Sequence, residues 1–391
     1  MTGAPADPRR ELLLHLYGTA LFAVDGRRRV RAALAADQDP RSVSVLAVGK
    51  AAASMAQGAL DALGDRLARG LVIVPEDGFS DELRACPRIA CQAGGHPVPD
   101  ERSLAAGSAT LAFASATPAG SRVLLLVSGG ASALMEVPAP GVTLGDLQRL
   151  NEWALSAAID ITTLNARRAA LSLVKAGRLP GLFRDADVEG LMISDVPGDD
   201  PDIVGSGLLA AAGAIRSVTL VACLDDALDG VECAARLRGL AVRRGPERLA
   251  GDAEAAARRV CHELAVGPPG LQLWGGETVV RLPARPGRGG RCQHLALAAA
   301  RQISGHAQLL ILAAGTDGRD GASEDAGAIV DGDTLARAQD AGFDAAQSLA
   351  AADSGSALEA AGDLIYTGPT GTNVGDLVMA LRMPLPGGHV K

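Results

Sequence analysis

The sequence predicts an α/β protein of two domains, a larger one over residues 1–240 and a smaller one over 241–391. Three observations carry this expectation. Short apolar runs of strand length alternate with helical stretches, the pattern of βα units that pair in parallel. Those runs show little polar alternation, as strands covered on both faces require. And 391 residues, at roughly 100–200 residues per domain, make two domains the natural count.

Taken in order, residues 9–36 read as helix, with apolar positions at Leu13, Leu14, Tyr17, Leu21 and Phe22 and a break near Gly26. SVSVLAVG (42–49) is a buried strand ending at Gly49-Lys50, followed by a helix of small residues. GLVIVP (70–75) and RIACQAG (88–94) are the next strands, and 103–116 is helical. RVLLLVSGGASALM (122–135) is a strand, a Gly-rich turn and a helix. Residues 144–179 form a long helical region carrying Asn165, Arg167, Arg168 and Lys175. Strands follow at 190–200 and 218–223. Past about residue 240 the pattern changes. Residues 271–300 read as a hairpin-like pair of strands, a Gly/Arg loop and a helix. Residues 308–321 are a strand running into an Asp/Gly loop, and 363–381 are a strand, a turn and a closing helix with the option of packing back on the first domain.

Composition narrows the function. Lys and Arg number 37 against 45 Asp and Glu, a net charge of −8, so no basic face marks duplex DNA as a partner. Aromatics are 2% of residues, too few for stacking platforms on single strands. No run of 18 apolar residues exists to span a membrane. The N-terminal apolar run is interrupted by His15 at helical spacing and reads as an amphipathic helix rather than a signal peptide. With six cysteines and no CxxC pair, a cytoplasmic protein with reduced thiols is expected. Only three basic residues are lysine: Lys50, Lys175 and Lys391. In a chain that favours Arg, a retained Lys is a candidate for a place that needs a compact ammonium. Asparagine is equally scarce: Asn151, Asn165 and Asn373.

Several strands end in loops of one type: VGKAA, GGHPVPDE, SGGASA, SDVPGDDP, GGET, GRGGR, AGTDGRDG and TGPTGTN. Open α/β sheets bind ligands outside the carboxyl ends of their strands. Glycine lets backbone N–H groups approach an anion, hydroxyls add donors, and a following helix N-terminus adds a favourable dipole. No Walker A loop is present, since Ser44 and Ala51 stand where its Gly and Ser/Thr would be. Gly205-Ser206-Gly207-Leu208-Leu209-Ala210 fits GxGxxA but lies beyond Pro197 and Pro201, the wrong context for a dinucleotide fingerprint. Asp195, Asp199, Asp200, Asp317 and Asp320 offer hard oxygen ligands suited to Mg²⁺. Lysine, arginine, carboxylates and backbone cradles are the recurring parts of phosphoryl transfer. His96 in GGHPVP is read as either a structural or a substrate-orienting residue.

Ten blocks, from VGKAA (48–52) through VSGGASALMEVPAPGVTL (127–144), LNARRAALSLVKAGRL (164–179), SDVPGDDP (194–201), GRGGRCQHLALA (287–298) and AAGTDGRDG (313–321) to TGPTGTNVGDL (367–377), resemble the class II glycerate kinases, the glycerate 2-kinase family with a C-terminal MOFRL domain. The resemblance implies a Rossmann-like parallel sheet in the first domain and a mixed sheet in the second. It implies ATP-dependent phosphorylation of D-glycerate at the 2-hydroxyl, with Mg²⁺, in a monomer or homodimer. Hydroxypyruvate reductase, which needs NAD(P)H, is the second reading. Under the kinase reading Lys50 and Arg291 flank the transferring group. Ser128, Gly129, Gly130, Ala131, Ser132, Asn165 and Arg288 cradle substrate or phosphate. Gly315, Thr316, Asp317, Gly318, Thr370, Gly371, Thr372 and Asn373 hold nucleotide, and Asp195 and Asp317 serve the metal. The chain departs from the family pattern at Cys292, His294, Ala169 and Ala170, which could retune the substrate pocket.

Overall fold

The computed structural model describes residues 7–156, 161–210 and 214–383, the side chains of 155, 156, 161 and 162 excepted. The chain divides into two compact units. One holds Val24–Cys223 and Gly371–Val374; the other holds Met1–Ala23, Leu224–Thr370 and Gly375–Lys391. This division falls at different residues from the boundary at 240. The N-terminal helix Pro8–Ala23 belongs with the C-terminal sheet, and the last three residues of the TGPTGTN loop, with Val374, belong with the N-terminal one. Hydrophobic periodicity carries no mark of such crossings, because each segment is locally normal on either side of them.

The first unit is built on β1 (Val43–Val48), β2 (Leu67–Val74), β3 (Ile89–Ala93), β4 (Arg122–Val127), β5 (Asp187–Ile193) and β6 (Ser217–Ala222). All pair in parallel in the order β3-β2-β1-β4-β5-β6. This is the doubly wound, Rossmann-like order. β1 and β4 are buried at every position, which is why their sequences VSVLAV and RVLLLV lack alternation. Leu46, Val48, Leu125 and Val127 pack with Leu134 and Met135 in one core, each such buried side chain stabilising the fold by roughly 1.5–3 kcal/mol. Strand order reverses between β1 and β4, and a reversal opens a crevice at the carboxyl ends of the two strands. The helix Glu101–Ser115 starts at an Asp100–Ser103 capping box.

The second unit carries β7 (Val242–Arg244), β8 (Leu249–Asp252), β9 (Gly270–Val279), β10 (Leu309–Gly315), β11 (Gly327–Asp331), β12 (Leu364–Ile365) and β13 (Asp376–Arg382). The order is β12-β11-β10-β13-β9-β7, with β8 also on β9. β7 and β8 run parallel to β9 and the other pairs are antiparallel, so the sheet is mixed. The helix Arg291–Ile303 is buried along nearly its whole length against it.

Three expectations are corrected. The supposed hairpin within 271–300 is the single strand β9. The closing helix is the central strand β13, paired with both β10 and β9. Its Leu-Val-Met-Ala-Leu run has helix-forming residues, but burial between two partners overrides propensity. The helical region expected over 144–179 stops at Ala170: Leu144–Ser156 and Ile161–Ala170 are helical, and turns that carry Lys175 follow.

Candidate functional site

The crevice between β1 and β4 gathers the residues singled out at strand ends. Ser128 N–H donates to Val48 O at 3.1 Å, and Lys50 N–H donates to Gly129 O at 2.9 Å. Ser128 Oγ accepts from Ala51 N–H at 3.0 Å. The two strand ends are thereby laced into one platform that presents Lys50 and the SGG backbone. Gly130 sits at φ +80°, a left-handed conformation that glycine adopts without penalty. The helix that follows is only Ala131–Leu134, so the dipole expected behind SGGAS is that of a single turn.

A cavity of about 320 Å³ opens beside this platform, within the first unit. Its polar wall is a connected network. Ser206 Oγ donates to Asn165 Oδ1 at 2.9 Å, so the 2.8 Å contact between Ser132 and Ser206 hydroxyls has Ser132 as donor. Asn165 Nδ2 donates to Ile203 O at 3.3 Å. Arg168 also lines the cavity, and Nη2 of its guanidinium donates to Asn151 Oδ1 at 2.9 Å. Among the described residues no carboxylate pairs with Arg168. Burial lowers its pKa against the opposing charge of Glu136, yet a guanidinium stays protonated. An arginine whose side-chain partner is a neutral amide, in a cavity lined by hydroxyls, is the arrangement a small carboxylate calls for. His96 lines the same cavity, with its ring and the Lys50 stem both about 3.1 Å from where a Cβ on Gly130 would stand.

Asp195 completes the wall. Its Oδ2 accepts from Asn373 Nδ2 at 3.0 Å. Both side chains lie against Gly129, where a Cβ would stand 1.8 Å from Asp195 Oδ2. Thr372 Oγ1 donates to Val24 O at 2.7 Å, which ties the 371–374 segment into this unit. All three asparagines of the chain therefore serve this site: Asn165 and Asn151 line the cavity, and Asn373 braces Asp195.

The other predicted residues lie in the second unit. Arg291 is gripped by Asp376, with Nε to Oδ2 at 2.6 Å and Nη2 to Oδ1 at 3.1 Å, and by Glu277. Burial alone would lower its pKa, and the two carboxylates reverse this and raise it. Arg288 pairs with Asp325 at 2.8 Å and with Glu359. Gly315 O accepts the buried Tyr17 hydroxyl at 2.5 Å, and Thr370 Oγ1 donates to Thr316 O at 2.5 Å. Asp317 Oδ1 accepts from Arg319 N–H at 3.0 Å, forming a turn. Asp320 accepts the N–H groups of Cys292 at 3.0 Å and Gln293 at 2.7 Å, so the N-terminus of the helix Arg291–Ile303 is capped by the chain's own carboxylate. Burial pushes the Asp320 carboxyl up to about 7.

The structure thus brings Lys50, Ser128–Ser132, Asn165, Asp195 and Asn373 together, while Arg288, Arg291 and Asp317 form separate ion pairs and turns in the other unit. Among the described residues no three His, Cys, Asp or Glu side chains are grouped to hold a metal ion. Ala169, Ala170, Cys292 and His294, the positions of departure, are absent from the wall of the cavity. Arg168, Asn151 and Ser206 were not predicted as site residues. Asparagine scarcity was the one signal that pointed toward Asn151. The GSGLLA stretch supplies Gly205 and Ser206 to the cavity from the 3-10 turn Val204–Ser206, and no dinucleotide-type helix opens on its first glycines.

A doubly wound sheet with a polar cavity at its switch point, joined in one chain to a mixed-sheet unit, defines a two-unit α/β protein. Residues 12–225 match the family described as a domain of unknown function (DUF4147), and residues 270–376 match the MOFRL family. The chain is 32% identical to a glycerate 2-kinase of Pyrococcus horikoshii, over 95% of this chain and 97% of that one. It is 32% identical to a D-glycerate 2-kinase of Thermotoga maritima, over 87% and 90%. It is 33% identical to a putative hydroxypyruvate reductase of Agrobacterium vitis, over 94% and 93%. The crystal structure of a Thermotoga maritima glycerate kinase superposes with a TM-score of 0.82 at 30% identity, covering 96% of this chain and all of that one. The chain belongs to the glycerate kinase family. Among the described residues no helix is long and apolar enough to cross a membrane.

Proposed function

We propose that the protein is a D-glycerate 2-kinase, transferring the γ-phosphoryl of ATP to the 2-hydroxyl to give 2-phosphoglycerate and ADP. The observation that carries this reading is Arg168: a guanidinium with no carboxylate partner among the described residues, in a 320 Å³ cavity lined by Ser132, Asn165 and Ser206 and set beside Lys50 at the switch point. Arg168 takes the glycerate carboxylate. The adjacent 2-hydroxyl is then the one nearest the SGG platform, and the 3-hydroxyl extends toward the Ser132–Ser206–Asn165 network. Lys50 places a compact positive charge where the phosphoryl charge is redistributed in a loose transition state, so that positioning and neutralisation supply most of the rate. The Gly315–Gly318 and Thr370–Asn373 loops are assigned to the nucleotide, and Arg291 to a charge that affects kcat. Mg²⁺ commonly binds through one or two carboxylates plus substrate phosphates, and Asp195, on the cavity wall and braced by Asn373, fits that need for a single side chain. When bound, the ion neutralises phosphate charge.

The test is a coupled assay of D-glycerate and ATP with enolase and pyruvate kinase, without phosphoglycerate mutase. Immediate signal is the expected result. Signal appearing only after mutase is added would mean the 3-phosphate. A parallel assay with hydroxypyruvate and NADH is expected to show no oxidation of the cofactor; turnover there in place of phosphorylation overturns the kinase reading.

A further inference from the structure

The cavity reading leaves one buried ion pair unused. Lys175 and Glu136 are joined through Nζ and Oε2, with side chains 4% and 1% exposed. The same carboxylate accepts from the Ser172 hydroxyl and, at 3.0 Å, from Val137 N–H. Three donors on one buried carboxylate make a satisfied cluster, and a satisfied cluster can fix geometry where apolar packing alone would allow sliding. Burying such a pair is expensive and often adds nothing to stability beyond what well-packed apolar residues would give. Its retention therefore asks for another reason.

The connections of the cluster supply one. Glu136 lies two residues past the short helix that begins in SGGAS. Lys175 lies five residues past the helix Ile161–Ala170 that carries Asn165 and Arg168. The two segments are stitched by Ala139 N–H to Leu171 O at 2.9 Å and Leu173 N–H to Val137 O at 2.8 Å. On the far side of Lys175, Ala176 N–H donates to Ser206 O at 3.1 Å and Gly177 N–H to Gly207 O at 2.7 Å. Ala176 and Ser206 are both non-glycine residues at positive φ, +53° and +60°. Such conformations cost on the order of 1–3 kcal/mol each and persist only where the surroundings over-determine them. The turn around Lys175 thus joins the three segments that carry Ser132, Arg168 and Ser206.

We propose that the Glu136–Lys175 ion pair is a positioning element for the hydroxy-acid cavity, holding the Arg168 helix and the Ser206 turn in register with Ser132. The proposal rests on the kinase reading for its substrate, but its geometry does not depend on it. A lysine suits the place because a compact ammonium brings three N–H donors into the buried site, whereas a bulkier planar guanidinium brings five in a fixed fork.

The test compares wild type with the doubly neutral Glu136→Gln/Lys175→Met variant, which leaves neither member of the pair charged, and with Lys175→Arg. Expected for the double variant is a rise in KM for D-glycerate of roughly tenfold or more. Its kcat stays within about threefold, and its KM for ATP within about twofold, the split that loss of substrate positioning produces. Lys175→Arg is expected not to restore KM. A crystal structure of the double variant should show the Arg168–Asn151 or the Ser132–Ser206 contact broken. A folded double variant with wild-type KM for D-glycerate overturns the proposal. So does a fall in kcat and Tm with both KM values raised alike, the mark of a merely structural pair. If wild type does not phosphorylate D-glycerate, the kinase reading fails by itself, and the crystal structure alone decides: broken cavity contacts uphold the positioning role, intact ones overturn it.

Discussion

Asn373 hands its side-chain amide to Asp195 at 3.0 Å, although 178 residues separate them in sequence. Asn373 belongs to the four-residue segment that the C-terminal part of the chain lends to the parallel-sheet unit. The amide orients the carboxylate without neutralising it.

Replacing that amide is expected to cost rate more than stability. Hydrogen bonds to charged groups contribute about 1.5–3 kcal/mol, so Asn373→Ala should lower kcat by about tenfold or more. Asn373→Asp should be worse, because two carboxylates would then face each other at hydrogen-bond distance. Steady-state kinetics on both variants, with Tm measured alongside, checks this. An Asp variant as active as wild type would remove Asp195 from the site.

Arg168→Ala is expected to raise KM for D-glycerate roughly 10- to 150-fold, the equivalent of about 1.5–3 kcal/mol for charge-assisted hydrogen bonds. The KM for ATP should stay put. Arg168→Lys should recover little, since an ammonium cannot contact Asn151 and a carboxylate with the same fork geometry. An unchanged KM for D-glycerate in the Ala variant would relocate the carboxylate site.

Much of this arrangement is readable from the residues, and the unreadable part has a common cause. The strand ends VGK and SGG stand out because an apolar run stopping at Gly and Lys has few other uses, and parallel pairing then sets them side by side. Arg168 is hidden because Arg167 precedes it, and two adjacent charges on a helix read as a solvated face. In the structure Arg167 lies 4.0 Å over the Trp153 ring while Arg168 lines the cavity. One residue along a helix turns a side chain by about 100°, and only the packing of the helix says which of the two faces inward. β13 misleads for a similar reason. Its fully buried place between β9 and β10 is a property of the sheet, not of the segment.

His294 offers a pH-dependent check on the second unit. Burial lowers its pKa below the usual 6.5, against the raising influence of Glu254. Its Nδ1 lies 3.2 Å from Ser354 Oγ. A histidine with a depressed folded pKa binds fewer protons folded than unfolded in the window below 6.5. The stability it contributes is therefore full above pH 6.5 and is lost as pH falls through the folded pKa. The Tm difference between wild type and His294→Gln should shrink from pH 7.5 to pH 5. Melting curves giving a constant difference would mean that His294 titrates alike in both states.

Lys50→Arg is expected to leave Tm near wild type while removing most of kcat. Lys50 follows β1 with one residue, Gly49, between them, and its N–H bond to Gly129 O is made by the backbone, so the platform survives the change. The planar guanidinium is bulkier than the ammonium and spreads its charge. A kcat close to wild type would take Lys50 out of the transfer step.

Gly129→Ala tests the site by steric means alone. An added Cβ would stand 1.8 Å from Asp195 Oδ2 and 2.2 Å from Asn373 Nδ2, far inside contact distance. The methyl must therefore push both side chains off the SGG turn, since the backbone beneath is pinned by Lys50 N–H. Gly129 is thus required for close approach, unlike Gly130, whose φ of +80° makes it a conformational requirement. Overpacking of this kind costs roughly 1–3 kcal/mol of stability, which a sheet buried on both faces should survive. The expected outcome is a folded protein with kcat reduced about a hundredfold or more. The Gly129→Ala/Asn373→Gly double variant should regain part of that rate, because it removes one of the two side chains the methyl strikes. Circular dichroism and kinetics on the pair check the claim. A Gly129→Ala protein with wild-type kcat would mean that the Asp195–Asn373 contact can be displaced without consequence for phosphoryl transfer.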